Sequence, residues 1–269
     1  MLRTRLISGV FLVAGAVLFI CLGGWVLWSV MLLISLIGMW ELYRVCGICG
    51  PSLTLPAAAG MVTAVGYYLL IACGYGSLQT VWLALGFILI MAVYVFTYPK
   101  YNSGQVMAVG FGVIYVAVML SYIYQTRCLT DGEYTAWLIM FSSWGCDSFA
   151  YLFGRLFGKH KMSPHLSPKK TVEGAIGGVA GAAALGALYA WIIGPYMSRG
   201  AAPVWEYALI CGAGGLVSMV GDLAASAIKR NHDVKDYGKL IPGHGGIMDR
   251  FDSVIFTAPI IWLLASLFV

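Results

Sequence analysis

Long apolar runs, separated by short polar connections, recur from one end of this 269-residue chain to the other. A helix that crosses a bilayer needs about 17–25 mostly apolar residues. Only 10% of the residues are charged, against about 25% in soluble domains. The pattern predicts an all-α, polytopic integral membrane protein with about nine transmembrane helices. The predicted spans lie near Leu6–Leu22, Trp25–Trp40, Ala57–Cys73, Thr80–Tyr98, Val106–Tyr124, Tyr134–Phe153, Val172–Gly194, Val204–Ile228 and Phe251–Val269.

The distribution of Lys and Arg predicts the orientation of these helices, because cytoplasmic loops of membrane proteins carry an excess of basic residues. With the N-terminus in the cytoplasm and the C-terminus outside, every Lys and Arg except Arg127 and Arg199 falls on the cytoplasmic side. The formal charge of +5 then follows from these loops and does not indicate nucleic-acid binding. We expect the first segment, which follows Arg3 and Arg5, to be a retained signal-anchor helix.

The position of charged residues divides the chain into two regions. Residues 1–125 form a predicted N-terminal transmembrane scaffold, in which Glu41 and Arg44 are expected to make an interfacial pair. Residues 126–269 carry acids inside apolar segments and form the predicted catalytic region.

Asp147 is the first of these acids and lies within the sixth segment. Helical spacing of four places Ser143, Asp147 and Tyr151 on one face. An acid at the centre of a span costs about 2.5–3.5 kcal/mol, so such residues usually face an interior functional site. The alternative is a structural Asp that accepts hydrogen bonds from neighbouring helices.

Asp222 is the second intramembrane acid and lies within the eighth segment. Ser218 and Ser226 share its helix face by the same spacing of four. Lys229 and Arg230 extend this stripe to the predicted cytoplasmic surface.

The cytoplasmic loop before the seventh segment predicts a phosphate site. Ser167 followed by Pro168 is typical of a helix N-cap with Pro in the first turn, which would place Lys169 and Lys170 at the start of the helix. Basic side chains beside free backbone N–H groups bind phosphate well. The alternative is the ordinary basic bias of a cytoplasmic loop, and Glu173 would then only complement the helix dipole.

Glycines and acids also cluster at the last two connections. In the seventh segment, glycines four apart, such as Gly174 and Gly178, permit close helix packing within or between subunits. Before the ninth segment, the turn that contains His244, Gly245 and Gly246 leads directly to Asp249.

Together these features predict a Mg²⁺–phosphate site. Mg²⁺ is usually held by one or two carboxylates plus substrate phosphates, and Asp222 and Asp249 can supply the carboxylates, with Asp147 as a third acid. Lys and Arg would neutralise phosphate oxygens, and the glycine turn would offer backbone N–H groups. Such an arrangement favours phosphoryl or nucleotidyl transfer at the cytoplasmic membrane surface.

A long motif in this region resembles the signature of the phosphatidate cytidylyltransferase, or CDP-diacylglycerol synthase, family. The motif reads Ser226-x-x-Lys229-Arg230-x₄-Lys235-Asp236-x-Gly238-x-x-Ile241-Pro242-x-His244-Gly245-Gly246-x-x-Asp249-Arg250-x-Asp252. Ser167-Pro168-Lys169-Lys170-Thr171-x-Glu173-Gly174 and the acid at Asp147 are similar to two further patterns of the family.

The resemblance implies a dimeric inner-membrane enzyme that joins CTP and phosphatidate into CDP-diacylglycerol, with release of pyrophosphate, for phospholipid biosynthesis. It also implies a centre of two cations, with Asp222 and Asp249 as ligands of Mg²⁺ and with K⁺ as a candidate second ion. The residues to which it gives catalytic roles are Asp147, Lys170, Asp222, Asp249 and Arg250. The residues to which it gives substrate-binding roles are Ser167, Lys169, Lys170, Glu173, Ser226, Lys229, Arg230, Lys235, Asp236, His244, Gly245 and Gly246.

Two other functions stay open at this point. A CTP-dependent polyprenol or phytol kinase would use similar residues but would transfer the γ-phosphoryl group. A cation-coupled transporter would use Asp147 and Asp222 as ion sites, although the chain lacks matching broken helices in two halves.

Overall fold

The computed structural model describes residues 2–164, 166–198, 204–243 and 245–268, and most of these residues are helical. The α-helices are α1 Leu2–Leu22, α2 Gly24–Val45, α3 Leu55–Ala72, α4 Gln79–Thr97, α5 Ser103–Gly112, α6 Met119–Arg127, α7 Gly132–Thr135, α8 Trp137–Met140, α9 Cys146–Phe157, α10 Val172–Ile193, α11 Val204–Asn231 and α12 Met248–Phe268. Short 3₁₀ turns span Gly76–Leu78 and Gly194–Tyr196, and π-helical turns span Val113–Val118 and Phe141–Gly145. A hairpin of β1 Lys161–Ser163 and β2 Ser167–Thr171 precedes α10.

Within the described ranges, seven helical stretches are long and apolar enough to cross a membrane. They are Gly24–Val45, Leu55–Ala72, Gly76–Thr97, Ser103–Arg127, Val172–Tyr196, Val204–Asn231 and Met248–Phe268, and a shorter apolar helix covers Ser8–Leu22. Large apolar side chains on their surfaces are exposed, such as Phe96 at 88% and Trp191 at 72%, which suits contact with lipid. The predicted all-α, polytopic membrane class is confirmed, while the count of nine spans and the orientation of the termini stay predictions.

The chain divides into two compact units. Unit 1 consists of the chain up to Ser121 together with His232–Asp249, and unit 2 consists of Tyr122–Asn231 together with the chain from Arg250 onward. The first boundary lies near the predicted division at residue 125. The loop before α12 groups with the N-terminal helices, whereas the prediction placed it in the second region.

Unit 1 is held together by aromatic side chains whose polar atoms reach the backbone of neighbouring helices. The Tyr43 hydroxyl of α2 donates to the Val109 carbonyl of α5 at 2.9 Å, and the Trp82 indole of α4 donates to the Thr63 carbonyl of α3 at 2.9 Å. A Cβ at Gly60 would lie 2.6 Å from the Tyr43 hydroxyl. The missing side chain therefore lets α3 approach the Tyr43 ring closely.

Unit 2 is packed through the glycines of α10. A Cβ added at Gly178 would lie 2.9 Å from the Cys146 carbonyl of α9, and one at Gly177 would overlap the Phe153 ring. Such spacing allows two helix backbones to approach closely. The predicted packing role of these glycines is confirmed within the chain.

Gly221 of α11 allows a similar close approach between α11 and α12, which mutation can test. A Cβ there would lie 2.7 Å from the Asp252 carbonyl, whereas a Cβ at Gly212 on the same helix would make an ordinary 3.5 Å contact with Ala183. We expect Gly221→Ala to destabilise the purified protein by about 1–3 kcal/mol, because overpacking forces the backbone to move. Gly212→Ala should be neutral or stabilising by about 0.4–1 kcal/mol. Thermal unfolding in detergent measures both, and equal melting temperatures would contradict the close approach at Gly221.

Candidate active site

The prediction that Ser167 caps the seventh helix was wrong. Ser167–Thr171 is a strand, α10 begins at Val172, and the Thr171 side chain accepts a hydrogen bond from the Gly174 N–H at 3.2 Å. The strand forms because its backbone pairs with β1, with Lys161 opposite Thr171 and Ser163 opposite Ser167. Pro168 is compatible with an edge strand, which can dispense with one N–H. Lys169 and Lys170 consequently lie on β2 and not in the first helical turn.

Glu173 fixes this hairpin to the start of α10. Its carboxylate accepts the Lys159 N–H at 3.0 Å and the His160 N–H at 3.2 Å, and it contacts the His160 Nδ1 atom at 2.5 Å. These contacts close the chain between α9 and β1 onto α10. The Glu173 carboxylate is therefore already engaged in contacts within the fold. Its predicted substrate-binding role stays a prediction.

Lys170 meets an acidic centre in unit 2. Its ammonium group pairs with Oδ2 of Asp222, and the Nζ atom itself is covered from solvent. Asp147 of α9 and Asp252 of α12 both lie within electrostatic range of Asp222. Three helices and one strand therefore bring three carboxylates and a lysine together.

Ser253 connects this centre to the π-helical turn before α9. Its hydroxyl lies 2.8 Å from the Ser143 hydroxyl and donates to Oδ2 of Asp147 at 3.5 Å, while its N–H donates to Oδ1 of Asp252 at 2.8 Å. The shared contact with Ser253 agrees with the predicted common face of Ser143 and Asp147. Single-turn π-helical segments often occur at functional sites, and this one directly precedes Asp147.

Two further cations lie near the carboxylates. Arg250, at the start of α12, is within electrostatic range of Asp147, and Lys229 is within range of Asp252. The Arg250 Nε atom is buried and makes no hydrogen bond to any residue that the structure describes. A buried donor of this kind can donate a hydrogen bond to a phosphate oxygen.

A cavity of about 430 Å³ in unit 2 opens beside the Lys170–Asp222 pair. Its polar lining includes Asp147, Arg155 and Lys169, and its apolar lining includes Met162 and Met219. Tyr151 also lines it, as its predicted place beside Asp147 requires. The cavity therefore combines groups that suit an anion with groups that suit hydrocarbon.

In unit 1, Asp249 orders the glycine turn before α12. Its Oδ2 atom accepts the Tyr237 N–H at 2.8 Å and the Gly246 N–H at 2.9 Å. Gly245 has a φ of +87°, a conformation that favours glycine, and its carbonyl accepts the Ile241 N–H at 2.8 Å. Asp249 is thus held by backbone N–H groups of the loop before α12.

Glu41 lies within electrostatic range of Arg44, as predicted, but its direct hydrogen-bond partners lie elsewhere. It is only 6% exposed, and its two carboxylate oxygens accept the Ile247 N–H at 3.1 Å and the Met248 N–H at 2.9 Å. The start of α12 has backbone N–H groups without helical partners, and Glu41 provides their acceptors.

The remaining predicted site residues are placed as follows. Ser226 is partly buried on α11, Arg230 is exposed near its end, and Lys235 and Asp236 are exposed in the following loop. The predicted role of His244 concerns a position outside the described residues.

The sequence-based predictions gave two carboxylates less weight than the structure gives them. Asp252 belongs to the resembled signature, and its spacing of three from Asp249 could have directed attention to it. Glu41 lies 206 residues from Ile247 in sequence, and the only available signal was an acid at the end of an apolar segment.

The carboxylates are compatible with Mg²⁺ that is bound together with a substrate. Among the described residues, no group of three or more His, Cys, Asp or Glu side chains is arranged to hold a metal ion alone. Mg²⁺ usually needs only one or two carboxylates and takes its other oxygens from phosphates and water. The Asp222 side chain, 26% exposed beside the cavity, suits such a role. The assignment of Asp222 and Asp249 as ligands stays a prediction.

Comparison with known families identifies the chain at the family level. The model of the cytidylyltransferase family matches residues 3–268, nearly the whole sequence. The chain belongs to the cytidylyltransferase family.

Several relatives carry the name phosphatidate cytidylyltransferase. The protein of Staphylococcus haemolyticus is 39% identical over 152 residues, which cover 56% of this chain and 56% of the relative. That of Thermotoga maritima is 36% identical over 169 residues, 62% of this chain and 61% of the relative. That of Synechocystis is 46% identical over 126 residues, 46% of this chain and 40% of the relative. The matched part of the chain thus spans between about two fifths and three fifths of these relatives.

Mutation can test whether Thr171, and not Ser167, is the N-cap of α10. We expect Thr171→Val, which keeps the shape but removes the acceptor oxygen, to lower the free energy of unfolding by about 0.5–2 kcal/mol. Ser167→Ala should have an effect within about 0.5 kcal/mol, since Ser167 does not cap the helix. Denaturation of the two variants in the same detergent measures the difference, and the reverse order would restore Ser167 as the cap.

Proposed function

We propose that this chain transfers the cytidylyl group of CTP to phosphatidate, which gives CDP-diacylglycerol and pyrophosphate for phospholipid synthesis. The observation that carries the proposal is the cavity beside the Lys170–Asp222 pair, in which basic, acidic and apolar groups meet. Membership of the cytidylyltransferase family and the names of the relatives support the same reaction.

The reaction requires two anions to approach each other. A phosphate oxygen of phosphatidate attacks the α-phosphorus of CTP, a new P–O bond forms, and the bond between the α-phosphorus and the bridging oxygen breaks as pyrophosphate leaves. Repulsion between the two phosphates must be offset by cations. Lys169 and Arg155 line the cavity, and the Arg250 Nε atom lacks a hydrogen-bond partner within the described chain. These groups are the proposed phosphate ligands.

The acidic centre has a complementary role. Asp222 and Asp147 place negative charge beside the cavity, which supports binding of a divalent cation with the triphosphate. Mg²⁺ would neutralise phosphate oxygens and stabilise the leaving pyrophosphate. Lys170 compensates the charge of Asp222, and Ser253 keeps the Asp147 carboxylate oriented.

The apolar part of the cavity supports a lipid substrate. Met162, Ala175 and Met219 line it together with the polar groups, as binding of a headgroup at the base of an acyl chain requires. The proposed location is the bacterial inner membrane, with the site on the cytoplasmic face. The homodimer and K⁺ as a second cation belong to the same proposal.

Labelled CTP distinguishes the reaction from its alternatives. Purified protein in mixed micelles with phosphatidate and Mg²⁺ should transfer label from the α-phosphate of CTP to the lipid. Transfer of only the γ-label to an isoprenoid alcohol would establish the kinase alternative and overturn the proposal. Ion flux in liposomes without nucleotide turnover would favour the transporter.

The acidic centre gives a mutational test. We expect Asp222→Asn to lower kcat more than about 100-fold, because even outer partners of metal ligands cost about 10–100-fold. Glu206→Gln, in the first turn of the same helix, is the matched control and should keep nearly full activity. The rate of α-label transfer measures both. Strong Mg²⁺-dependent activity in Asp222→Asn would remove Asp222 from the catalytic centre.

A further inference from the structure

Two buried carboxylates from opposite ends of the chain meet at the same loop of unit 1. Glu41 of α2 is 6% exposed and Asp249 of α12 is 5% exposed. Asp249 holds the loop from within, through the N–H groups of Tyr237 and Gly246. Glu41 holds it from outside, through the N–H groups of Ile247 and Met248. Of these four backbone N–H donors, two therefore bond to Asp249 and two bond to Glu41.

The loop is shaped to receive the Glu41 carboxylate. A Cβ added at Gly238 or Gly246 would overlap the carboxyl group of Glu41. Neither glycine has a positive φ, so backbone conformation does not require glycine at these positions. The close approach of the carboxylate does require it. Both Gly238 and Gly246 therefore lie against the Glu41 carboxylate.

We propose that Glu41 is a positioning residue for the reaction: it anchors the Gly238–Met248 loop and thereby fixes Asp249. This inference rests on the proposed function for its kinetic consequence, but its structural content is independent of activity. Glu41 lies outside the signature-like motif, and it connects the predicted scaffold region to the loop whose N–H groups donate to Asp249.

A carboxylate is required at position 41 because both of its oxygens accept. In Glu41→Gln the amide keeps one acceptor oxygen, while its NH₂ group would face a backbone N–H. An unsatisfied buried donor is costly, so the loop should open locally. Since Asp249 bonds to the neighbouring N–H groups, its orientation should loosen as well.

Hydrogen exchange of the full chain in detergent tests the anchor without reference to activity. In Glu41→Gln, peptides that cover residues 237–249 should exchange at least about 10-fold faster, equivalent to a loss of about 1.4 kcal/mol of local protection, while peptides of α10 and α11 should be unchanged. Glu133→Gln is the matched control, because Glu133 is 59% exposed and should leave the loop unchanged. Unaltered exchange in Glu41→Gln would overturn the proposal.

Gly246→Ala tests the same contact from the loop side. Its Cβ would displace the Glu41 carboxylate, so the same peptides should exchange faster. This variant keeps the proposal testable if Glu41→Gln fails to fold. If Gly246→Ala exchanges like the wild type, the close approach of Glu41 is wrong.

Kinetics then separate positioning from mere stability. Glu41→Gln should lower kcat for α-label transfer by about 10–100-fold and raise the Mg²⁺ concentration needed for half-maximal rate, at a temperature where the variant is fully folded. Glu41→Asp, which keeps the charge on a shorter side chain, should recover part of the rate. Faster exchange with unchanged kcat would refute the positioning role. An inactive wild type would refute the proposed function, while the exchange comparison would still decide whether Glu41 anchors the loop.

Discussion

The ion pair between Lys170 and Asp222 is the interaction on which the acidic centre of unit 2 depends. Moving a carboxylate out of water costs several kcal/mol unless charge or hydrogen bonds compensate it, and here Asp147, Asp222 and Asp252 interact with one another. Lys170 Nζ is covered by protein and contacts Asp222 directly. Without this cation, the repulsion among the three carboxylates would be offset only by the more distant Arg250 and Lys229. The β-hairpin that delivers Lys170 is therefore part of the centre.

In unit 1, buried carboxylates are compensated by hydrogen bonds without a lysine. Asp249 and Glu41 are buried, and backbone N–H groups of one loop and of the first turn of α12 are their partners. The positive end of the helix dipole adds to this compensation. The consequence is structural: each carboxylate that is stabilised in this way also fixes the loop that donates to it. Burial of Glu41 and Asp249 and ordering of the loop before α12 therefore depend on each other.

The extent to which the sequence predicted these features follows from the range of the interactions. Apolar runs and glycine spacing are local patterns, so the helices and the close packing of the α10 glycines were predictable, whereas the identity of α9 as their partner was not. The cap of α10 was not, because Ser167 and Thr171 are both good N-cap residues and only pairing with β1 decides between them. The hydrogen-bond partners of Glu41 were not predictable because they lie more than 200 residues away in sequence. Asp252 was undervalued because its proximity to Asp222 depends on how closely Gly221 lets α12 approach α11.

The strand before α10 also separates two lysines that the helical interpretation treated alike. Neighbouring side chains of a strand point to opposite faces, and Lys169 is exposed while Lys170 is largely buried against Asp222. In a first helical turn, both would have been near the same dipole end and equally available to a phosphate. On β2, Lys170 pairs with Asp222 and Lys169 is exposed, while both lysines line the cavity. The extended segment thus places the two lysines in different environments, and the substrate-binding role of each stays a prediction.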